Sequence, residues 1–281
     1  MYRTTFKEED FFKFQKTQFL TFFQNLSNFS YNNFPKFSPE ILTGIETIFS
    51  NLNLKLELIK TEKIITHKNY FYKLTTIKDE NINFYLPLIS LEFSLYPKNF
   101  IKKIHLKKIV LCDEILINDK DYRSGIADRD YEIQAMIYST KEKNLKYIRN
   151  VIHHELFHYY YLSDKGCFET NDFYWEVFNP KNFQYNNNDL IQNEFLNVNS
   201  FVSEFSKKSL EEDKAEIFSF LVTSGIDQNQ IEKKGILGKC LIIKKMLENF
   251  DKEDFWTGKN DFWSRVKLFK KEICDFYYPI L

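Results

Sequence analysis

Hydrophobic and polar positions follow two different periods along this chain, and the switch between them marks out its elements. Over residues 5 to 25, Phe11, Phe12, Phe19, Phe22 and Phe23 recur at helical steps behind Thr5 and Glu8, a capping-box pair. Ser38 and Pro39 open a second helix, serine as the cap and proline in the first turn, which runs through EILTGIETIFSNL. The period then shortens to two. LKLELIK (54–60) alternates cleanly and NYFYKLTTIK (69–78) is β-branched and aromatic, so both predict strands. NFYLPLISLEFSLYP (83–97) fits helix and strand equally. IHLKKIVLCDEILI (104–117) predicts one strand with a basic start. DYRSGIADRD reads as a polar, turn-rich loop, and YEIQAMIYST (131–140) predicts a further strand.

After Ser139 the helical period returns. Ser139 and Glu142 form a capping box, and Leu145, Ile148, Val151, Ile152 and Leu156 follow at three- and four-residue steps, predicting a helix over 140–163 with Gly166 as its stop. Residues 171–203 are Asn-rich and irregular, a length of loop that usually carries function. Helices are predicted again from Ser209 to Thr223, closed by Gly225, and over about 230–250, before a tail holding Trp256 and Trp263. Helices, then strands, then helices define an α+β chain. We expect one domain over 1–281: a helical N-terminal extension (1–37), a sheet lobe ending in the 140–163 helix (38–166), and a helical lobe (167–281).

Composition narrows the function mainly by exclusion. Hydrophobic residues make up 43% and charged residues 28% of the 281 positions, an ordinary globular balance. Lys plus Arg equals Asp plus Glu at 39 each, which gives no global electrostatic reason to expect nucleic acid. The lysines of KNFIKKIHLKKIV (98–110) lack aromatic interleaving and read as a solvated face. No apolar run is long enough for a transmembrane helix. The first residues interrupt their phenylalanines with charges, unlike a signal peptide, so the expectation as written is cytoplasmic, or secreted or lipid-anchored if a leader has been trimmed. Cys112, Cys167, Cys240 and Cys274 are scattered and read as free thiols. His67 and His105 have no acidic partner at ligand spacing, and nothing in the chain indicates its oligomeric state.

The chemistry sits in HHELFH (153–158). His154 and His158 are one turn apart on the predicted helix, so both imidazoles project from one face and can share a tetrahedral Zn²⁺. Glu155 points beside that face, where a carboxylate can take a proton from zinc-activated water. His153 lies about 100° away around the helix and reads as a packing or supporting residue. A third protein ligand is needed. Asp164 lies at a spacing used by one class of zinc site, but that pattern requires a glycine turn, and Tyr161 stands there. SLEEDKAEIFSFL (209–221) offers Glu212 and Glu216, four apart on one helix face. Glu212 is placed to bind the metal and Glu216 to accept the free ring N–H of a ligand histidine. The competing reading is a helix cap, since Ser209 with Glu212 is itself a capping box.

HELFH followed by EDKAEIF resembles the gluzincin class of zinc metallopeptidases, most closely the branch typified by the bacterial toxin lethal factor, where the second motif is E-x-x-A-E. The resemblance covers roughly residues 130 to 225. It implies a zincin-like fold, a protein or peptide substrate, zinc on His154, His158 and Glu212, Glu155 as general base, and Glu216 behind a ligand. That branch carries a tyrosine two turns before its third ligand, where this chain has Phe205. Tyr185 is the replacement oxyanion donor the sequence offers. The strand at 131–140 would be the edge that pairs with extended substrate, or a paired interior strand. The alternative function is a non-catalytic zincin that binds metal or a partner.

Overall fold

The computed structural model of the chain describes residues 39–67, 69–129, 134–165, 172–185, 200–223 and 234–250, together with residue 266. The expected 5–25 helix, Gly166, Gly225, the Trp256 and Trp263 tail and much of 171–203 lie outside the described residues. Helix α1 (Pro39–Leu52) starts with proline in its first turn, as expected, and turns Ile45, Ile48, Phe49 and Leu52 inward at helical spacing. Asn53 ends it in the left-handed conformation, φ 58°, and Leu54 N–H returns to the Phe49 carbonyl at 2.8 Å.

Two four-stranded sheets follow. In the first, β1 (Lys55–Leu58) pairs in parallel with β4 (Lys108–Cys112), β4 in parallel with β8 (Ala135–Ser139), and β8 antiparallel with β7 (Gly125–Asp128), in the order β1-β4-β8-β7. The second is antiparallel, β2 (Lys63–Thr66), β3 (Phe71–Leu74), β5 (Ile115–Ile117) and β6 (Asp121–Arg123), in sequence order. Strands β4 and β8 are apolar on both faces because both are covered. Ile109, Leu111, Met136 and Tyr138 join the core beneath the helices, while Val110, Cys112, Ala135 and Ile137 join the core facing the second sheet.

Several expectations change here. The 104–117 segment is two strands in two sheets: Asp113 N–H bonds the Thr75 carbonyl at 3.1 Å and Glu114 N–H bonds Thr75 Oγ1 at 2.8 Å, turning the chain between them. The alternating pattern runs on across that turn and hides it. The polar 121–130 segment, expected to be a loop, supplies β6 and β7, and the chain passes between sheets at Ser124. The strand within 131–140 is therefore interior, since β7 occupies the edge. The short KIIT strand β2 was not anticipated. The ambiguous 83–97 segment belongs to α2 (Asp79–Ser94), whose first turn carries Asp79 and Glu80. It is buried nearly all round, Pro87 included, which erases the one-sided pattern that marks a surface helix. A short helix α3 (Lys98–Lys103) leads from it into β4.

Helix α4 (Leu145–Lys165) lies across the first sheet and is fastened to α2 by a buried polar network. Arg149 bonds the Glu92 carboxylate, His153 Nε2–H donates to Glu92 Oε2 at 2.8 Å, and the Tyr96 hydroxyl donates to His153 Nδ1 at 2.6 Å. Burial works against a charged Glu92, but Arg149 and His153 outweigh it and hold the carboxyl below its ordinary range. A carboxyl lowered on folding adds stability that is present above about 4.5 and is lost as the pH falls through that range toward the folded value. Removing the charge takes the carboxylate away from Arg149, a buried cation. Glu92→Gln is expected to cost about 3–5 kcal/mol by urea unfolding at neutral pH, and to flatten the loss of stability that the wild type shows below pH 4.5.

Candidate metal centre

Helix α4 presents the histidine motif, a short helix α5 (Phe173–Glu176) comes next in the chain, and α6 (Leu210–Thr223) packs against α4. The α4 cap is Asn144, whose Oδ1 accepts from Tyr147 N–H at 3.1 Å, in place of the expected Ser139. Ser139 instead donates to the Asp113 carbonyl at 2.6 Å, and Glu142 accepts from the N–H groups of Lys143 and Asn144 at 2.6 and 2.7 Å. The α6 cap is Ser209, accepting from Glu212 N–H at 3.3 Å. Capping and the carboxylate pair thus coexist: the Glu212 backbone serves the cap while its side chain crosses to α4.

That crossing gathers three donors. His154 Nε2 and His158 Nε2 lie 3.0 Å apart, and Glu212 Oε2 sits 2.9 Å from the first and 3.2 Å from the second. On the far side of its ring, His154 Nδ1–H donates to Glu216 Oε1 at 2.8 Å, which turns Nε2 toward the cluster. Glu216 Oε1 also accepts from Asn150 Nδ2 at 3.2 Å, and Ser219 Oγ donates to Asn150 Oδ1 at 2.6 Å. Asn150 and Ser219 were missed in the sequence. The available signal was position: Asn150 is one turn before His154 on α4, and Ser219 nearly one turn after Glu216 on α6.

The electrostatics match the crowding. Burial disfavours a charged His154, but the hydrogen bonds it donates to Glu212 and Glu216 overcome that and lift the imidazole to about 10. Burial likewise opposes a charged Glu212, and the bonds to His154 and His158 reverse that, driving its carboxyl far below the ordinary range. Two ring nitrogens this close need a cation between them, a proton or a metal. An ion about 2.0–2.1 Å from each donor in tetrahedral geometry would separate the donors by roughly 3.3 Å. The observed spacings, 2.9 to 3.2 Å, need to open by only a few tenths of an ångström. Two imidazoles and a carboxylate are also a donor set that suits Zn²⁺, so the residues fit the ion.

The other candidates fall elsewhere. Glu155 is half-buried and leans toward β7, against Gly125. His153 is wholly buried and belongs to the Glu92 network. Helix α4 continues through Tyr161 to Lys165, and Asp164 is exposed beside Lys165. Phe205, in a 3₁₀ turn at Phe205–Lys207, lays its ring 5.7 Å from the His154 ring, and Lys208 Nζ stands 4.5 Å from the centre of its ring. His67 has acquired an acidic neighbour, Asp128 Oδ2 at 3.6 Å, which only the sheet topology supplies.

Tyr185, the oxyanion donor expected from the sequence, is held by hydrogen bonds within the fold. Its hydroxyl donates to Asp213 Oδ2 at 2.6 Å and accepts from Trp175 Nε1 and Asn179 Nδ2, both at 3.1 Å. Asp213 also receives Lys239 Nζ at 2.6 Å from α7 (Lys234–Phe250), and both charges are fully buried. The hydroxyl is thus committed to the side of α6 that faces the scaffold, and burial beside Asp213 pushes its ionisation well above the ordinary range.

Helices over a mixed sheet, with three convergent donors on two crossed helices, define a zincin-like α+β metallopeptidase fold. A family model described as "putative zinc-binding metallo-peptidase" matches residues 77–255, and the chain belongs to that family. Among solved structures, a "putative zinc-binding metallo-peptidase" from Bacteroides caccae ATCC 43185 shares the fold with a TM-score of 0.52 at 14% identity, covering 85% of this chain and 96% of that one. No curated protein matches the chain. Tyr185→Phe is expected to lower stability by about 1.5–3 kcal/mol, the worth of a hydrogen bond to a charged group, with zinc content unchanged. Urea unfolding paired with metal analysis checks this, and lost zinc at unaltered stability would contradict the placement.

Proposed function

We propose that this protein is a zinc-dependent metallopeptidase of the gluzincin type, acting on a protein or peptide substrate. The observation that carries the reading is the convergence of His154, His158 and Glu212 within 4.8 Å, with Glu216 behind His154. In this reading the first three residues hold zinc and Glu216 fixes the His154 tautomer. Bound zinc supplies Lewis acidity and lowers the pKa of a coordinated water. Glu155, next to the first ligand on α4, accepts the proton of the attacking water and returns it to the departing amine nitrogen. Edge strand β7 gives an extended peptide a backbone to pair with, since no described strand lies on its outer side. Among the described residues no helix is long and apolar enough to cross a membrane.

The spacing of the two motifs and their placement on crossed helices support the lethal-factor-like branch. Phe205 favours a second reading, a zincin that binds metal or a partner without cleaving. The ring that abuts His154 has no hydroxyl to stabilise an oxyanion.

Substitution separates the two. Glu155→Ala is expected to abolish cleavage in a proteome-wide cleavage screen while zinc analysis still finds bound metal; undiminished turnover would sink the mechanism. Glu212→Ala should lose zinc where Asp164→Ala keeps it, and the reverse pattern would move the third ligand to the end of α4. A wild-type protein that binds zinc but cleaves nothing would favour the second reading.

A further inference from the structure

Gly125 occupies the first position of edge strand β7, paired with Tyr138 of β8. Glycine weakens a strand, having no side chain to pack and more backbone freedom to lose, so its presence there calls for a reason. The backbone does not supply one, because Gly125 does not adopt the left-handed conformation that other residues avoid. Space does. A β-carbon on Gly125 would lie 2.6 Å from Glu155 Cγ and 3.2 Å from Glu155 Cδ, with Val151 Cγ1 at 2.9 Å. Val151 and Glu155 are one turn apart on the same face of α4, and Gly125 is where the strand comes down onto that face.

We propose that Gly125 is a positioning residue for the general base: its missing side chain leaves the space in which the Glu155 carboxylate is held. The inference rests on the role assigned to Glu155 above. Two physical features make it specific. Glu155 is a flexible side chain, so a methyl group at 125 moves the glutamate before it moves the strand, and the disturbance falls on the carboxylate rather than on the fold. The donors His154, His158 and Glu212 are not among the nearest atoms that the added carbon would meet, so metal binding has no part in the conflict. A carboxylate displaced by about 1 Å loses roughly a hundredfold in rate while the metal and the substrate-binding surface stay as they were.

The test uses the full chain with Gly125→Ala, Val151→Ala, their double variant and Glu155→Ala. Fluorescein-labelled casein is the substrate, with zinc content measured and crystal structures determined of the metal-free proteins. Gly125→Ala is expected to retain zinc, to show the Glu155 carboxylate displaced by about 1 Å or more, and to lose roughly a hundredfold in kcat with KM within about twofold. Val151 is β-branched and stiff, so its contact is a separate source of strain, which the double variant removes. The double variant should show the same displacement and the same loss, with Val151→Ala alone near wild type. A Glu155 that stays in place, a kcat that survives Gly125→Ala, or a kcat restored by trimming Val151 would overturn the inference. Glu155→Ala that cleaves as fast as wild type would instead overturn the role of Glu155, and the crystal structures would still report whether the contact exists.

Discussion

The His154 imidazole is gripped at both nitrogens by carboxylates one helical turn apart on α6, and the arrangement around it follows from that grip. Glu216 accepts from Nδ1 and so turns Nε2 toward the cluster. Glu212 brings the third donor across to the side where His158 already points. Two carboxylates in so enclosed a place would repel each other without the imidazoles. The interaction therefore locks α4 to α6 and at the same time gathers three groups able to hold a cation, and one contact between two helices accounts for both.

A grip of this kind needs α6 to be rigid in rotation, since a small roll would carry Glu212 away. The neighbouring faces of α6 supply the resistance. Asp213, the residue after Glu212, is bonded to Lys239 of α7, to Trp175 Nε1 at 2.8 Å and to Tyr185. Lys214 reaches Asp172 at 2.7 Å and the Tyr161 hydroxyl at 3.0 Å, tying α6 back to α4 beyond the histidines. The ammonium groups of Lys214 and Lys239 stand 5.7 and 5.5 Å from the centre of the Trp175 ring. Adjacent residues on one helix are thus divided between the donor cluster and anchorage. The Glu92 network does the same for α4, holding the face that carries His153 while His154 stays available.

What the sequence could reveal depended on range. The α4 motif and the α6 carboxylate pair were legible because helical periodicity places residues four apart on one face, and both helices formed close to their expected limits. The α+β order was legible for the same reason. The edge strand was not: β7 is four residues containing glycine and aspartate, and only its pairing with β8 makes it a strand. The interior rank of β8 depends on the same pairing. The bonds of Tyr185 were not legible because its partners, Asp213 and Trp175, become neighbours only through tertiary packing. Helix α2 stayed ambiguous because a helix buried on every side carries no polar stripe.

His154 and Glu216 are 62 residues apart in sequence. During synthesis the α4 half of the cluster emerges as two histidines with no carboxylate partner on α6. The donors that complete it follow only after the intervening chain has been made, and the brace from Lys239 follows later still. Assembly of the centre is therefore a late event in the life of the nascent chain, timed by loop closure between distant segments rather than by the formation of either helix. A chain released before α7 would carry every donor of the cluster but lack the brace that keeps them aligned.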